Sequence, residues 1–190
     1  SSMHKKFIAD GQLHGIEIVN EDTYSEEAFK IALENDLALM GTSDVHNLIE
    51  WDYLTKKGEH RPVTLIFAKE RTTDSLREAL FQRRTAIWFK EILIGKEANI
   101  LPLLNSIIDI ESTGYIKGTQ ILKVVLKNNS SALIQLKNLS AYTFVDSTNL
   151  VNLPGNSEVI IRVKTIKELN FILSAIVPVS NNGVIHANIN

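Results

Sequence analysis

The chain has 190 residues, 44% of them hydrophobic and 22% charged, with a formal net charge of −2, which suits one large globular domain or two small ones. The near-neutral balance offers no lysine- and arginine-rich face for nucleic acid or an anionic membrane. The absence of cysteine excludes disulfides, zinc–thiolate sites and cysteine nucleophiles, and leaves the compartment open.

The opening S-S-M-H-K-K-F-I lacks the apolar core of a secretory signal, and no apolar run nears the ~18 residues that a membrane span needs. A soluble chain is expected. A start at Ser1 rather than methionine fits a processed, tagged or excised piece of something longer. Next, H-G-I-E-I-V-N predicts a mostly buried strand over 15–20. S-E-E-A-F-K-I-A-L-E-N follows, a helix opening at Ser25 with acidic residues in its first turn. It has apolar positions at Ala28, Phe29, Ala32 and Leu33, and a stop at Asn35 and Asp36. L-A-L-M-G-T (37–42) is a second strand, and a helix between two strands predicts a βαβ unit with parallel strands.

Beyond a polar segment, 43–61, P-V-T-L-I-F-A predicts a strand over 62–68. T-T-D-S-L-R-E-A-L-F-Q-R-R predicts a helix capped by Thr73 or Asp74, with Leu76, Ala79, Leu80 and Arg83 at helical spacing. T-A-I-W-F (85–89) closes a second βαβ unit. From about Asn105 short period-2 segments, separated by Asn, Ser, Gly and Pro every ten residues or so, predict an antiparallel sandwich of the immunoglobulin-like kind. Charge divides in the same place, with thirteen basic and seventeen acidic residues in 1–104 against seven and five in 105–190. The expected boundary lies near 102–108, around Pro102, giving an α/β domain over 1–104 and an all-β domain over 105–190. No internal repeat is read from the sequence.

The run G-T-S-D-V-H (41–46) sits past the end of the 37–42 strand, where α/β proteins gather ligands. In extended backbone, residues i and i+2 face the same way, so Asp44 and His46 can reach one ion or two neighbouring ions. Alone, D-x-H is equally served by a turn-capping aspartate and a surface histidine. Glu17 interrupts an apolar strand and shares a face with Val19 by alternation. It is either a carboxylate turned toward metal ligands or substrate, or one paired with a lysine or arginine. Asn20, at the strand end, serves a ligand or an Asx-turn.

In the long 43–61 segment, Trp51 and Tyr53 offer a wall for substrate or packing for the loop. Arg61 offers a phosphate contact, while His14 and His60, which precede strands, read as structural, and Arg83 and Arg84 as charges at a helix end. His186 stands alone, and N-N-G at 181–183 reads as a hairpin turn.

The order G-I-E-I-V-N, helix, L-A-L-M-G-T-S-D-V-H resembles the closing segment of the polymerase and histidinol phosphatase (PHP) family of metallohydrolases. H-R-P-V-T-L-I-F-A-K-E-R-T and A-L-F-Q-R-R-T-A-I-W are similar to a bacterial, phosphodiesterase-like subgroup with a β-rich C-terminal domain. The resemblance spans roughly 10–104. It implies the last part of a distorted β/α barrel, a cluster of two or three divalent ions (manganese, zinc or iron), and Asp44 and His46 among their ligands. It further implies hydrolysis of a small phosphorylated substrate by a hydroxide formed from metal-bound water, with Glu17 and Asn20 in supporting roles. The family's earlier H-x-H has no counterpart among His4, His14, His46, His60 and His186. Two ligands hold a catalytic metal poorly, so the chain alone is expected to be inactive. The rival reading is a non-catalytic binding module, its sandwich recognising protein or glycan and its α/β part a scaffold. Oligomeric state, compartment and natural substrate are not specified by the sequence.

Overall fold

A computed structural model describes residues 2–146, 149–164, 172–176 and 184–188. The chain forms two compact units, Ser1–Asn99 and Ile100–Asn190. Strands predominate and helices are few. Among the described residues no helix is long and apolar enough to cross a membrane.

The first unit opens with a helix absent from the expected elements, α1 (Ser2–Ala9). It is followed by β1 (Gly15–Asn20), the two-residue β2 (Thr23–Tyr24), α2 (Glu26–Glu34) and β3 (Ala38–Thr42). The Ser25 hydroxyl accepts the Ala28 N–H at 3.2 Å, capping α2 as its sequence predicts. Phe29 and Ala32 are fully buried, whereas Leu33 is exposed; 100° of helical rotation beyond Ala32 carries it off the buried stripe. β1 and β3 pair in parallel, the expected βαβ unit. Their register shifts between Glu17 and Val19, so Ile18 is an extra residue that breaks strict alternation. Ile18 and Val19 are consequently both buried, and the inference that Glu17 shares a face with Val19 does not hold.

A second sheet comprises β4 (Val63–Ile66), β5 (Thr85–Phe89) and β6 (Ile92–Gly95), with α4 (Thr73–Phe81) between β4 and β5. Here the expectation of a second parallel unit fails, because β4 and β5 are antiparallel neighbours. The Phe67 N–H donates to Arg84 O at 2.9 Å and continues that antiparallel ladder, so the intervening helix returns the chain without a parallel crossover. A β/α barrel is therefore not what these two three-stranded sheets display by themselves. The cap of α4 also lies one residue earlier than expected, since Thr72 Oγ1 accepts the Ser75 N–H at 3.3 Å.

β3 meets the second sheet through side chains. Thr85 Oγ1 accepts the Leu39 N–H at 3.0 Å and Thr64 Oγ1 the Gly41 N–H at 2.9 Å, while the Thr64 hydroxyl donates to Gly41 O at 2.9 Å. Two hydroxyls thus stand where a neighbouring strand would supply carbonyls. Thr85 and Leu39 are both fully buried, so neither group has water as a substitute. A Cβ at Gly41 would overlap Ile87 Cγ2, so only glycine permits this approach.

α5 (Glu97–Ile107) includes Pro102 within the helix, so a helix runs through the stretch where the domain boundary is expected. The second unit then builds two four-stranded antiparallel sheets, ordered β10-β12-β8-β7 and β11-β9-β13-β14. The strands are β7 (Ile108–Tyr115), β8 (Ile121–Asn128), β9 (Ile134–Asn138), β10 (Thr143–Phe144), β11 (Leu150–Leu153), β12 (Ser157–Lys164), β13 (Ile172–Ile176) and β14 (Val184–Asn188). Alternate residues of β8, β9, β11 and β12 are buried, among them Leu122, Leu126, Leu136, Leu153 and Val163, as a sandwich requires. The hairpin turn expected at 181–183 lies outside the described residues.

A short repeat escapes the sequence reading. L-K-N-x-S occurs at 126–130 and again at 136–140, and each copy ends a strand with a buried asparagine. Asn128 Oδ1 accepts from the Ser130 N–H at 2.9 Å and hydroxyl at 2.7 Å. Asn138 Oδ1 accepts the same pair from Ser140 at 3.0 and 2.6 Å. Their amides donate onward to Ala132 O and Tyr142 O, both at 2.7 Å. The repeat is a turn device that gives both the oxygen and the nitrogen of a buried amide a partner.

Two outcomes follow in chemical denaturation. Thr85→Val should lose about 1–3 kcal/mol by orphaning the Leu39 N–H, and Thr85→Ser should recover most of it. The second concerns Asp36, whose carboxyl is held below its ordinary 3.8 first by the Lys96 hydrogen bond (2.5 Å), against burial, with added attraction from Lys96 and Arg83. A lowered native value means stabilisation present above 3.8 and lost as pH falls below it. The stability gap between wild type and Asp36→Asn should therefore close below pH 3.8, and it should be small throughout, because the Asp36 side chain is 73% exposed.

Candidate functional site

Past the end of β3 the backbone turns at Asp44, which adopts φ 47, a left-handed conformation that aspartate tolerates better than most residues. Asp44 is therefore not in extended backbone, and the alternation argument for its common direction with His46 does not apply. The turn achieves the convergence instead. His46 Nε2 lies 3.6 Å from Asp44 Oδ1, with side chains 83% and 52% exposed. A carboxylate oxygen and an imidazole nitrogen this close could both serve one divalent ion. The pair fits as part of a metal site, and only as part: among the described residues no three His, Asp or Glu side chains gather closely enough to hold an ion.

Both residues line a depression of about 460 Å³ with Glu21, Asp22, Trp51 and Tyr53, and with Asp52 beside them. The wall comes from the 43–61 segment, which holds a helical turn, α3 (Ile49–Asp52), and a 3₁₀ turn, Thr55–Lys57, closed by Gly58 at φ 89. The Leu54 N–H donates to Glu59 Oε2 at 3.0 Å and ties the segment together. Trp51 stays 72% exposed, so it does not serve as packing for the loop. The Tyr53 phenol is raised above its ordinary 10.0, chiefly by burial and then by Asp22, Glu21 and Asp52, with the Arg61 guanidinium acting in the opposite sense. Arg61 thereby belongs to the electrostatic surroundings of the depression without lining it.

Glu17 and Asn20 lie elsewhere. The Glu17 carboxylate accepts from the Thr42 hydroxyl and from Asn20 Nδ2, the latter at 3.1 Å. Its partners are a hydroxyl and an amide, not the lysine or arginine weighed from sequence, and Asn20 makes this bond rather than an Asx-turn. The trio fastens β1 to β3, and Glu17 lines a separate depression with Ile16 and Ile31. His60 is held between Arg61 O (2.8 Å) and Lys90 O (2.9 Å) and packs on Trp88, ring centroids 4.0 Å apart. His14 packs on Phe81 at 4.6 Å. Arg83 donates to Phe81 O at 2.7 Å beyond α4, and Arg84 pairs with Glu78 at 3.3 Å. The side chain of His186 lies outside the described residues.

Sequence reasoning passed over Glu21, Asp22 and Asp52. The run N-E-D at 20–22 follows the carboxyl end of β1, which was the available signal. Lys90, 3.4 Å from Asp22, arrives from the β5–β6 turn, and no local pattern foretells that.

Comparison with known proteins adds two likenesses. The family described as "DUF5001: Ig-like domain" matches residues 108–177, so the second unit contains an immunoglobulin-like domain. A crystal structure of a two-domain protein from Bacteroides vulgatus ATCC 8482, described as containing a predicted PHP-like metal-dependent phosphoesterase, is 32% identical with a TM-score of 0.79. The match covers 92% of this chain and 51% of that one; this chain spans about half the length of that relative. No curated protein matches the chain.

The electrostatics of the depression can be read from ring-labelled tyrosine by NMR titration. Arg61→Ala should push the Tyr53 phenol higher still, and Asp22→Asn should bring it back toward 10.0. A Tyr53 titration indifferent to both would separate Arg61 from the depression.

Proposed function

We propose that this chain is the C-terminal portion of a metal-dependent phosphoesterase of the PHP type, acting on a phosphodiester. Its first unit supplies the last part of a β/α barrel and its second an accessory sandwich. The observation that carries the reading is the convergence of Asp44 Oδ1 and His46 Nε2, 3.6 Å apart, at the carboxyl end of β3. The similarity to a protein described as a predicted metal-dependent phosphoesterase supports the same chemistry. Asp44 and His46 would hold manganese, zinc or iron together with ligands from the rest of the parent protein. When bound, such ions polarise phosphoryl oxygens and acidify water. The chain's own residues orient: the turn at Asp44 aims the carboxylate at the imidazole, and the Thr64 and Thr85 latches hold the strand that carries both.

One observation favours a second reading, a binding module without catalysis: the described residues include no third ligand beside Asp44 and His46. Metal analysis of the full-length parent, purified without chelators, separates the two. The hydrolase reading expects at least one manganese, zinc or iron per chain and cleavage of an aryl phosphodiester. Asp44→Ala and His46→Ala should each lower metal affinity and hydrolysis by more than about a hundredfold, because outer partners of metal ligands alone are worth 10–100-fold. Less than one ion per chain with no hydrolysis would leave the binding module, whereas activity unchanged by both substitutions would leave Asp44 a turn residue and His46 a surface histidine.

A further inference from the structure

The rings His14 and Phe81, Tyr24 and Phe29, and His60 and Trp88 lie in pairs. Trp51 enters no such pair among the described residues and remains 72% exposed. An indole left in water forgoes a large burial gain, and this one is held at the wall of the depression that Asp44 and His46 line. Tyr53, two residues on, adds a second ring to the same wall. Leu48 and Leu54 are exposed as well, but neither lines the depression.

Charge does not select the ligand here. Glu21, Asp22 and Asp52 line the depression with Asp44, among the described residues only Asp22 of them is paired with a lysine, Lys90 at 3.4 Å, and such carboxylates repel every phosphoester alike. The feature left to discriminate among phosphoesters is a flat apolar face. We infer that the substrate carries a planar aromatic group, a nucleobase or aryl ring, that stacks on Trp51 while its phosphoester lies toward Asp44 and His46. The inference rests on the hydrolase reading, which supplies the phosphoester; the aromatic subsite itself needs only Trp51.

Stacking of a base on an aromatic side chain is worth about 1–3 kcal/mol by alanine substitution, roughly 5- to 150-fold in affinity. Calorimetric titration of the zinc-loaded full-length parent with adenosine 5′-monophosphate, ribose 5-phosphate and phosphocholine tests it. Trp51→Ala should weaken adenosine 5′-monophosphate about tenfold or more and leave ribose 5-phosphate unchanged, and Trp51→Phe should restore most of the loss. Equal affinity of wild type and Trp51→Ala for adenosine 5′-monophosphate overturns the inference, as does tighter binding of phosphocholine, which would mark a cation site. Saturable quenching of tryptophan fluorescence by adenosine, lost in Trp51→Ala, keeps the two ideas apart. If it persists in a parent protein that binds no metal, the aromatic subsite stands and the hydrolase reading falls.

Discussion

Two threonine hydroxyls hold the edge of β3, and the rest of the first unit is arranged around that fact. The Leu39 and Gly41 N–H groups point the same way from the strand, and they find Thr85 Oγ1 and Thr64 Oγ1 instead of a backbone ladder. Such bonds are short-range and directional, so the strand end has little freedom of position. The absence of a side chain at Gly41 lets Ile87 close against it. Three residues later the left-handed turn at Asp44 redirects the chain, and the carboxylate meets the imidazole. The candidate site is thus the free end of a rigid strand whose other edge is fastened to β1.

The immunoglobulin-like unit is stabilised by different means. Among the described residues its buried side chains are apolar apart from two asparagines, and a buried amide is tolerable only when its oxygen and its nitrogen find partners. The repeated L-K-N-x-S turn does this twice, ten residues apart, at the ends of β8 and β9. Each copy trades a backbone turn for a side-chain one.

Local chemistry was readable and tertiary pairing was not. β1, α2 and β3 announce themselves through apolar period, an N-cap serine and a glycine, all encoded within a few residues of where they act. The D-x-H run was visible for the same reason, although its geometry comes from a left-handed turn and not from strand alternation. β4 and β5 look parallel in sequence because a helix separates them, yet direction is settled by which edges bond. Strand alternation misplaces Glu17 because one extra residue, Ile18, shifts the register, and a bulge leaves no trace in hydropathy. β6, α5 and β11 are short or proline-containing, below the length at which periodicity speaks. Lys90 reaches Asp22 only through the fold.

Anomalous scattering from crystals of the full-length parent grown with manganese tests the central claim most directly. The account predicts a manganese peak within about 2.0–2.3 Å of both Asp44 Oδ1 and His46 Nε2, with further ligands from outside this chain. Manganese bound elsewhere, or the two side chains turned apart with no ion between them, would contradict it.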